Sequence, residues 1–192
     1  MKREYLWKVA AMALLLLIFN AGLVSAKVTL KKGGLLPVIV LPVPEDTAHR
    51  DYLGLSGEEK FEVPEIKADL LIIEIYSLYC PACQMEAGRM NELYGLIENN
   101  PKLKGRVKVI GIGAGNTGFE VDVFRKKYDV PFPLFPDADF TVHYSIGEVR
   151  TPYFIAVKIK KDGSHEVAFT QLGGFKETDK FLESILKSAD LK

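Results

Sequence analysis

Apolar and polar positions follow two rhythms along this chain. Leu70-Leu71-Ile72-Ile73-Glu74-Ile75-Tyr76 is interrupted by a single acid, the pattern of a strand covered on both faces. Met90, Leu93, Tyr94 and Ile97 then recur at i, i+3, i+4 and i+7, the stripe of a helix that faces a core. Asn99-Asn100-Pro101 ends that helix, since proline cannot continue the ladder. Val107 to Ile112 predicts a second strand, parallel to the first. Thr117-Gly118-Phe119-Glu120 has the form of a capping box, and Val121, Phe124 and Tyr128 line the helix it opens. A proline-rich turn follows, then a short helix from about Asp137 to Ile146, stopped by Gly147. Tyr153 to Lys160 and His165 to Thr170 flank Lys160-Lys161-Asp162-Gly163-Ser164, whose Asp-Gly pair predicts a hairpin. Leu182, Ile185, Leu186 and Ala189 share one face of a last helix. This order, β-α-β-α, a short helix, a hairpin and a final α, predicts an α/β fold with a mixed sheet covered on both faces.

The chain before Leu70 is less regular. Residues 27–50 read as an extended N-terminal arm, because Pro37, Pro42 and Pro44 interleave with Val38 to Leu41. Asp51 to Val63 reads as a hairpin around Ser56-Gly57-Glu58-Glu59, and Pro64 to Asp69 as a connector. The main domain is then 51–192. Residues 1–26 belong to another class. Lys2, Arg3 and Lys8 precede an unbroken apolar run of 11 residues, Val9 to Phe19, and Val24-Ser25-Ala26 supplies small residues at a cleavage position. That is the pattern of a secretory signal peptide cut before Lys27. The alternative is an uncleaved anchor, although the run is short for a full span of ~20 residues. No cysteine follows the run, so a lipid-modified N-terminus is not indicated.

Composition narrows the partners. The chain has 192 residues, 48% hydrophobic, with 25 basic and 25 acidic side chains. That supports a domain with a real core. Zero net charge and no basic run argue against nucleic acid as a partner.

Cys80 and Cys83 are the only cysteines. They lie where the strand at 70–76 gives way to the helix, in Cys80-Pro81-Ala82-Cys83. A helix N-terminus carries partial positive charge and unpaired amide donors, so it favours a thiolate. The thiolate is the form that attacks disulfides. In an oxidising compartment the pair could instead form a structural bridge. The loop is so small that a bridge would remove little unfolded-state entropy, which favours a redox role. Metal ligation is the third option. Glu74 is an ionisable group inside an apolar strand, where a charge is costly and the pKa rises instead. Its alternative is an edge-facing or salt-bridged glutamate.

Tyr79-Cys80-Pro81-Ala82-Cys83, the order of elements and the later Arg150-Thr151-Pro152-Tyr153-Phe154 resemble the thioredoxin superfamily. The leader, the Cys-x-x-Cys-x-x-Glu spacing that ends at Glu86 and the long 107–146 segment are similar to its exported TlpA-like (redoxin) branch. The resemblance covers roughly residues 50–190. It implies a three-layer α/β/α sandwich with a mixed central sheet, and a thiol–disulfide oxidoreductase that needs no cofactor and no resident metal. It implies Cys80 as nucleophile and Cys83 as the resolving thiol. Glu74 would exchange a proton with Cys83, and Glu86 would tune both thiols or stand as a solvated surface carboxylate. Pro152 would be cis and face the dithiol, with Thr151 presenting its backbone to a substrate strand and Tyr79 shielding the site. Ala82 offers no side-chain donor to the thiolate, which tilts the expectation toward reduction. Two positions depart from the family pattern: Tyr79 stands where tryptophan is usual, and Gly88 replaces a helix-kinking proline.

The implied partners are protein disulfides or dithiols and an upstream thiol electron donor, a membrane-embedded one among the options. Cytochrome c maturation and repair of exported thiols are the implied tasks. Two rival functions remain open here: a copper chaperone that adds His49, His143 or His165 to the thiols, and a peroxiredoxin-type peroxidase. Gly113-Ala114-Gly115-Asn116-Thr117-Gly118 also matches a dinucleotide fingerprint, but no second nucleotide-binding half follows, and a flexible turn beside the active site is the preferred reading.

Overall fold

The computed structural model describes residues 30–57 and 59–191; the leader expected at 1–26 lies outside them. The elements are β1 (Val40–Pro42), α1 (Thr47–Leu53), β2 (Lys60–Glu62), β3 (Leu70–Tyr76), α2 (Pro81–Glu98), β4 (Val107–Ala114), α3 (Gly118–Tyr128), β5 (Leu134–Asp137), α4 (Thr141–Ser145), β6 (Tyr153–Ile159), β7 (His165–Leu172) and α5 (Thr178–Ser188). Five strands form one sheet in the order β5-β4-β3-β6-β7. β3 is central, parallel to β4 and antiparallel to β6, and all seven of its residues are buried.

Strand alternation divides the core in two. Leu70, Ile72 and Tyr76 pack with Met90, Leu93 and Ile97 of α2, Phe124 of α3, and Phe181 and Ile185 of α5. Leu71, Ile73 and Ile75 pack with Leu53 of α1, Val142 of α4, Ile39, Leu41 and Phe61. Helices therefore cover both faces, and the fold is the three-layer α/β/α sandwich with a mixed sheet. Among the described residues no helix is long and apolar enough to cross a membrane.

Two expectations need correction. The hairpin at 51–63 does not form. β2 pairs with β1 instead, Leu41 opposite Phe61, and α1 fills the connection. The Asp46 carboxylate accepts the Ala48 N–H at 2.7 Å and caps α1 at its start. Gly54, at φ 69°, closes its end. The proline-rich stretch is also more than a turn, since Leu134–Asp137 forms β5 on the sheet edge. Pro136 lacks a donor, and an edge strand tolerates that.

Candidate active site

β3 ends at Tyr76, and the turn Ser77-Leu78-Tyr79 delivers Cys80 to the N-cap of α2. Pro81 is the first helical residue, where its missing N–H costs nothing. The Cys83 N–H donates to Cys80 Sγ at 3.4 Å, so the sulfur takes the place of a capping oxygen. The Cys80 thiol donates to the Thr151 carbonyl at 3.4 Å. The bond from Thr151 to Pro152 is cis. Both cysteines are free thiols.

The two sulfurs differ in acidity because their surroundings differ. Burial acts to raise the Cys80 thiol, but hydrogen bonds with Cys83, Thr151 and the Cys83 and Ala82 N–H groups outweigh it and hold the thiol below its ordinary value. Cys83 is fully buried. Burial, the Cys80 sulfur and the Glu74 charge push its thiol far above the ordinary range. One sulfur is thus half-exposed and acidic, the other sealed and protonated.

Glu74 shares the α2-facing side of β3 with Leu70, Ile72 and Tyr76 by alternation. It is buried, and its Oε1 has no hydrogen-bond partner. Burial first, then the charges of Glu86 and Cys80, raise its pKa to about 8. The edge-facing and salt-bridged alternatives do not hold. Nor does the surface alternative for Glu86, which is buried. Arg89 Nη1 donates to its Oε2 at 3.0 Å, and the Phe175 N–H donates to its Oε1 at 3.2 Å. The same turn reaches the cis-proline, because the Gly173 N–H donates to the Pro152 carbonyl at 2.9 Å. The structure therefore brings Cys80, Cys83, Thr151, Pro152, Glu74 and Glu86 into one neighbourhood. Tyr79 is exposed beside them, its hydroxyl donating to the Glu120 carboxylate.

Sequence reasoning missed the residues that hold this frame. Asn116 is fully buried in the glycine-rich turn after β4. Its Oδ1 accepts the Leu78 N–H at 2.8 Å, and its Nδ2 lies 3.5 Å from Ser77 Oγ. Gln84 Nε2 donates to the Leu78 carbonyl at 2.7 Å. The turn that matches a nucleotide fingerprint is therefore not flexible, because these bonds tie it to the segment before Cys80. The only sequence signal was its proximity to the end of a strand.

Two of the histidines have partners other than the thiols. His49 contacts Arg125, and His143 Nε2 bonds the Val149 carbonyl at 2.8 Å. Among the described residues no three His, Cys, Asp or Glu side chains group to hold a metal.

Known proteins are similar to this chain in sequence or in fold. The model of the AhpC/TSA family matches residues 43–164. A thiol-disulfide oxidoreductase ResA of Bacillus cereus is 32% identical over 112 residues, which span 57% of this chain and 58% of that protein. A thiol-disulfide oxidoreductase ResA of Bacillus thuringiensis subsp. konkukian is 30% identical over 134 residues, 69% of this chain and 70% of that protein. The crystal structure of StoA from Bacillus subtilis superposes with a TM-score of 0.55 at 16% identity, covering 78% of this chain and 97% of StoA. The chain belongs to the AhpC/TSA family, as a TlpA-like thiol–disulfide oxidoreductase of the thioredoxin superfamily.

Proposed function

We propose that this protein works outside the cytoplasm as a dithiol reductant of protein disulfides, with Cys80 as nucleophile and Cys83 as resolving thiol. The observation that carries the reading is the asymmetry of the pair: Cys80 caps α2, is half-exposed and is held acidic, while Cys83 lies sealed beneath it. The Cys80 thiolate attacks one sulfur of a substrate disulfide. That bond breaks, and the leaving thiolate takes up a proton. With its pKa raised to about 8, Glu74 is mostly protonated at neutral pH; in its ionised fraction it takes the Cys83 proton, and Cys83 attacks Cys80 Sγ. The Cys80–substrate bond breaks, the second substrate sulfur leaves as a thiolate and takes that proton from Glu74, two electrons have moved to the substrate, and the enzyme holds a Cys80–Cys83 disulfide. An upstream thiol donor restores it.

Glu86 acts through position, as a buried negative group anchored by Arg89 and Phe175. Thr151 and Pro152 offer backbone to the substrate strand, and Tyr79 shields the thiolate. Export follows from the leader pattern at Lys2 to Ala26, with cleavage before Lys27 or retention as an anchor. Exported thiol proteins, apocytochromes c among them, are the substrates the family likeness favours.

A Cys83→Ala variant tests the assignment. It should accumulate mixed disulfides through Cys80 that the wild type resolves. Absence of adducts, together with no dithiol exchange by the wild type, would overturn the reading.

A further inference from the structure

A cleft of about 410 Å³ opens beside Thr151, and Tyr79, Gly115, Phe140, His143 and Arg150 contribute to its walls. It sits at the small end of the ~300–1,000 Å³ range of small-molecule pockets, room for one bulky side chain. Its shape is built in. Phe140 is held at φ 59°, a conformation that a bulky residue rarely adopts and that clusters at functional sites. Its ring lies so close to Gly115 that an added Cβ there would overlap it. His143 and Tyr144 pack around the ring at centroid distances of 5.6 and 6.0 Å. Tyr79 is steadied by Glu120. Arg150 is exposed, and no Asp or Glu is among the lining residues.

The cleft adjoins the reacting sulfur through Thr151, which lines it and also places its carbonyl 3.4 Å from Cys80 Sγ. An extended chain advances about 3.3 Å per residue. A substrate with its sulfur at Cys80 therefore brings a side chain one or two positions away to this opening. Aromatic rings pair favourably offset or edge-to-face, and the cleft offers two of them together with one cation.

We propose that this cleft is a specificity subsite. It takes an aromatic side chain one or two residues from the substrate cysteine, while Arg150 engages an acidic neighbour. The inference rests on the reductase reading above. It concerns which polypeptides are reduced rather than whether any are.

The test uses two oxidised peptides, each closed by one intramolecular disulfide and differing only beside one cysteine, Tyr-Asp in one and Ser-Asn in the other. The reduced protein is mixed with each, and loss of its thiols is followed over a single turnover. The Tyr-Asp peptide should react about tenfold faster or more, the discrimination an apolar pocket commonly supplies. Phe140→Ala should bring the ratio close to one. Arg150→Glu changes an exposed side chain, so it keeps the test independent of any folding defect in Phe140→Ala. It should slow the Tyr-Asp peptide and abolish the fall of its rate with added salt. Equal rates for the two peptides in the wild type would overturn the subsite and leave the reductase reading standing. Failure to reduce either peptide would overturn both.

Discussion

The Leu78 N–H donates to the side-chain oxygen of Asn116 at 2.8 Å, tying the turn before Cys80 to the turn after β4. Gly113 makes room for this brace. An added Cβ there would lie 3.0 Å from Asn116 Oδ1 and 3.2 Å from the Tyr76 hydroxyl. Asn116→Ala leaves a part-buried donor without its partner, at a cost of about 1–3 kcal/mol. It also frees the segment that aims the sulfur. Urea unfolding and the alkylation rate of Cys80, measured on the same samples, should both report the loss. Lower stability with unchanged alkylation would show that the brace supports the fold without setting the thiol.

Gly174 stands against the Glu86 carboxylate, where an added Cβ would overlap it. The carboxylate cannot easily move aside, because Arg89 and the Phe175 N–H both hold it. Gly174→Ala should therefore destabilise the protein by about 1–3 kcal/mol. The same change in a Glu86→Ala background should cost clearly less. Equal costs in the two backgrounds, read from a double-mutant cycle of urea midpoints, would show that the two positions are not coupled.

Glu74 makes stability depend on pH. Its pKa rises from the ordinary 4.5 to about 8 in the folded state, so the folded protein holds a proton that the unfolded chain releases between those values. The stabilising contribution is complete below about pH 4.5 and is lost as pH climbs through about 8. At 1.36 kcal/mol per pKa unit the whole change is roughly 5 kcal/mol. Glu74→Gln cannot ionise, so the variant should lose much less stability than the wild type between pH 5 and pH 9. Parallel stability curves for the two proteins would contradict a buried, titrating Glu74.

Much of the fold is legible in local pattern. β3 declares itself by unbroken apolarity, and Glu74 is conspicuous for the same reason. α2 shows its stripe, and Met90, Leu93 and Ile97 are indeed buried. α1 is hidden because Leu53 is its only buried residue, so no stripe exists to read; only its Asp46 and Gly54 caps betray it. β5 is masked by Pro133 and Pro136, and recognising it requires knowing that it lies on a sheet edge. The site is harder still. Glu86 is buried by a turn 89 residues away, and Leu78 meets Asn116 across 38. The approach of Thr151 to Cys80 spans 71 residues and is anticipated only through the likeness of Arg150-Thr151-Pro152 to a known family. Patterns of period two or 3.6 carry no information at such separations.

The proposed reaction needs the sulfur of Cys80 poised and that of Cys83 held in reserve. Alkylation of the reduced protein across a pH series, with each adduct mapped to its residue, tests this most directly. Cys80 should be labelled first, with a midpoint below the ~8.5 of free cysteine, while Cys83 stays unlabelled over the same range. A midpoint at or above that of free cysteine, or first labelling at Cys83, would contradict it.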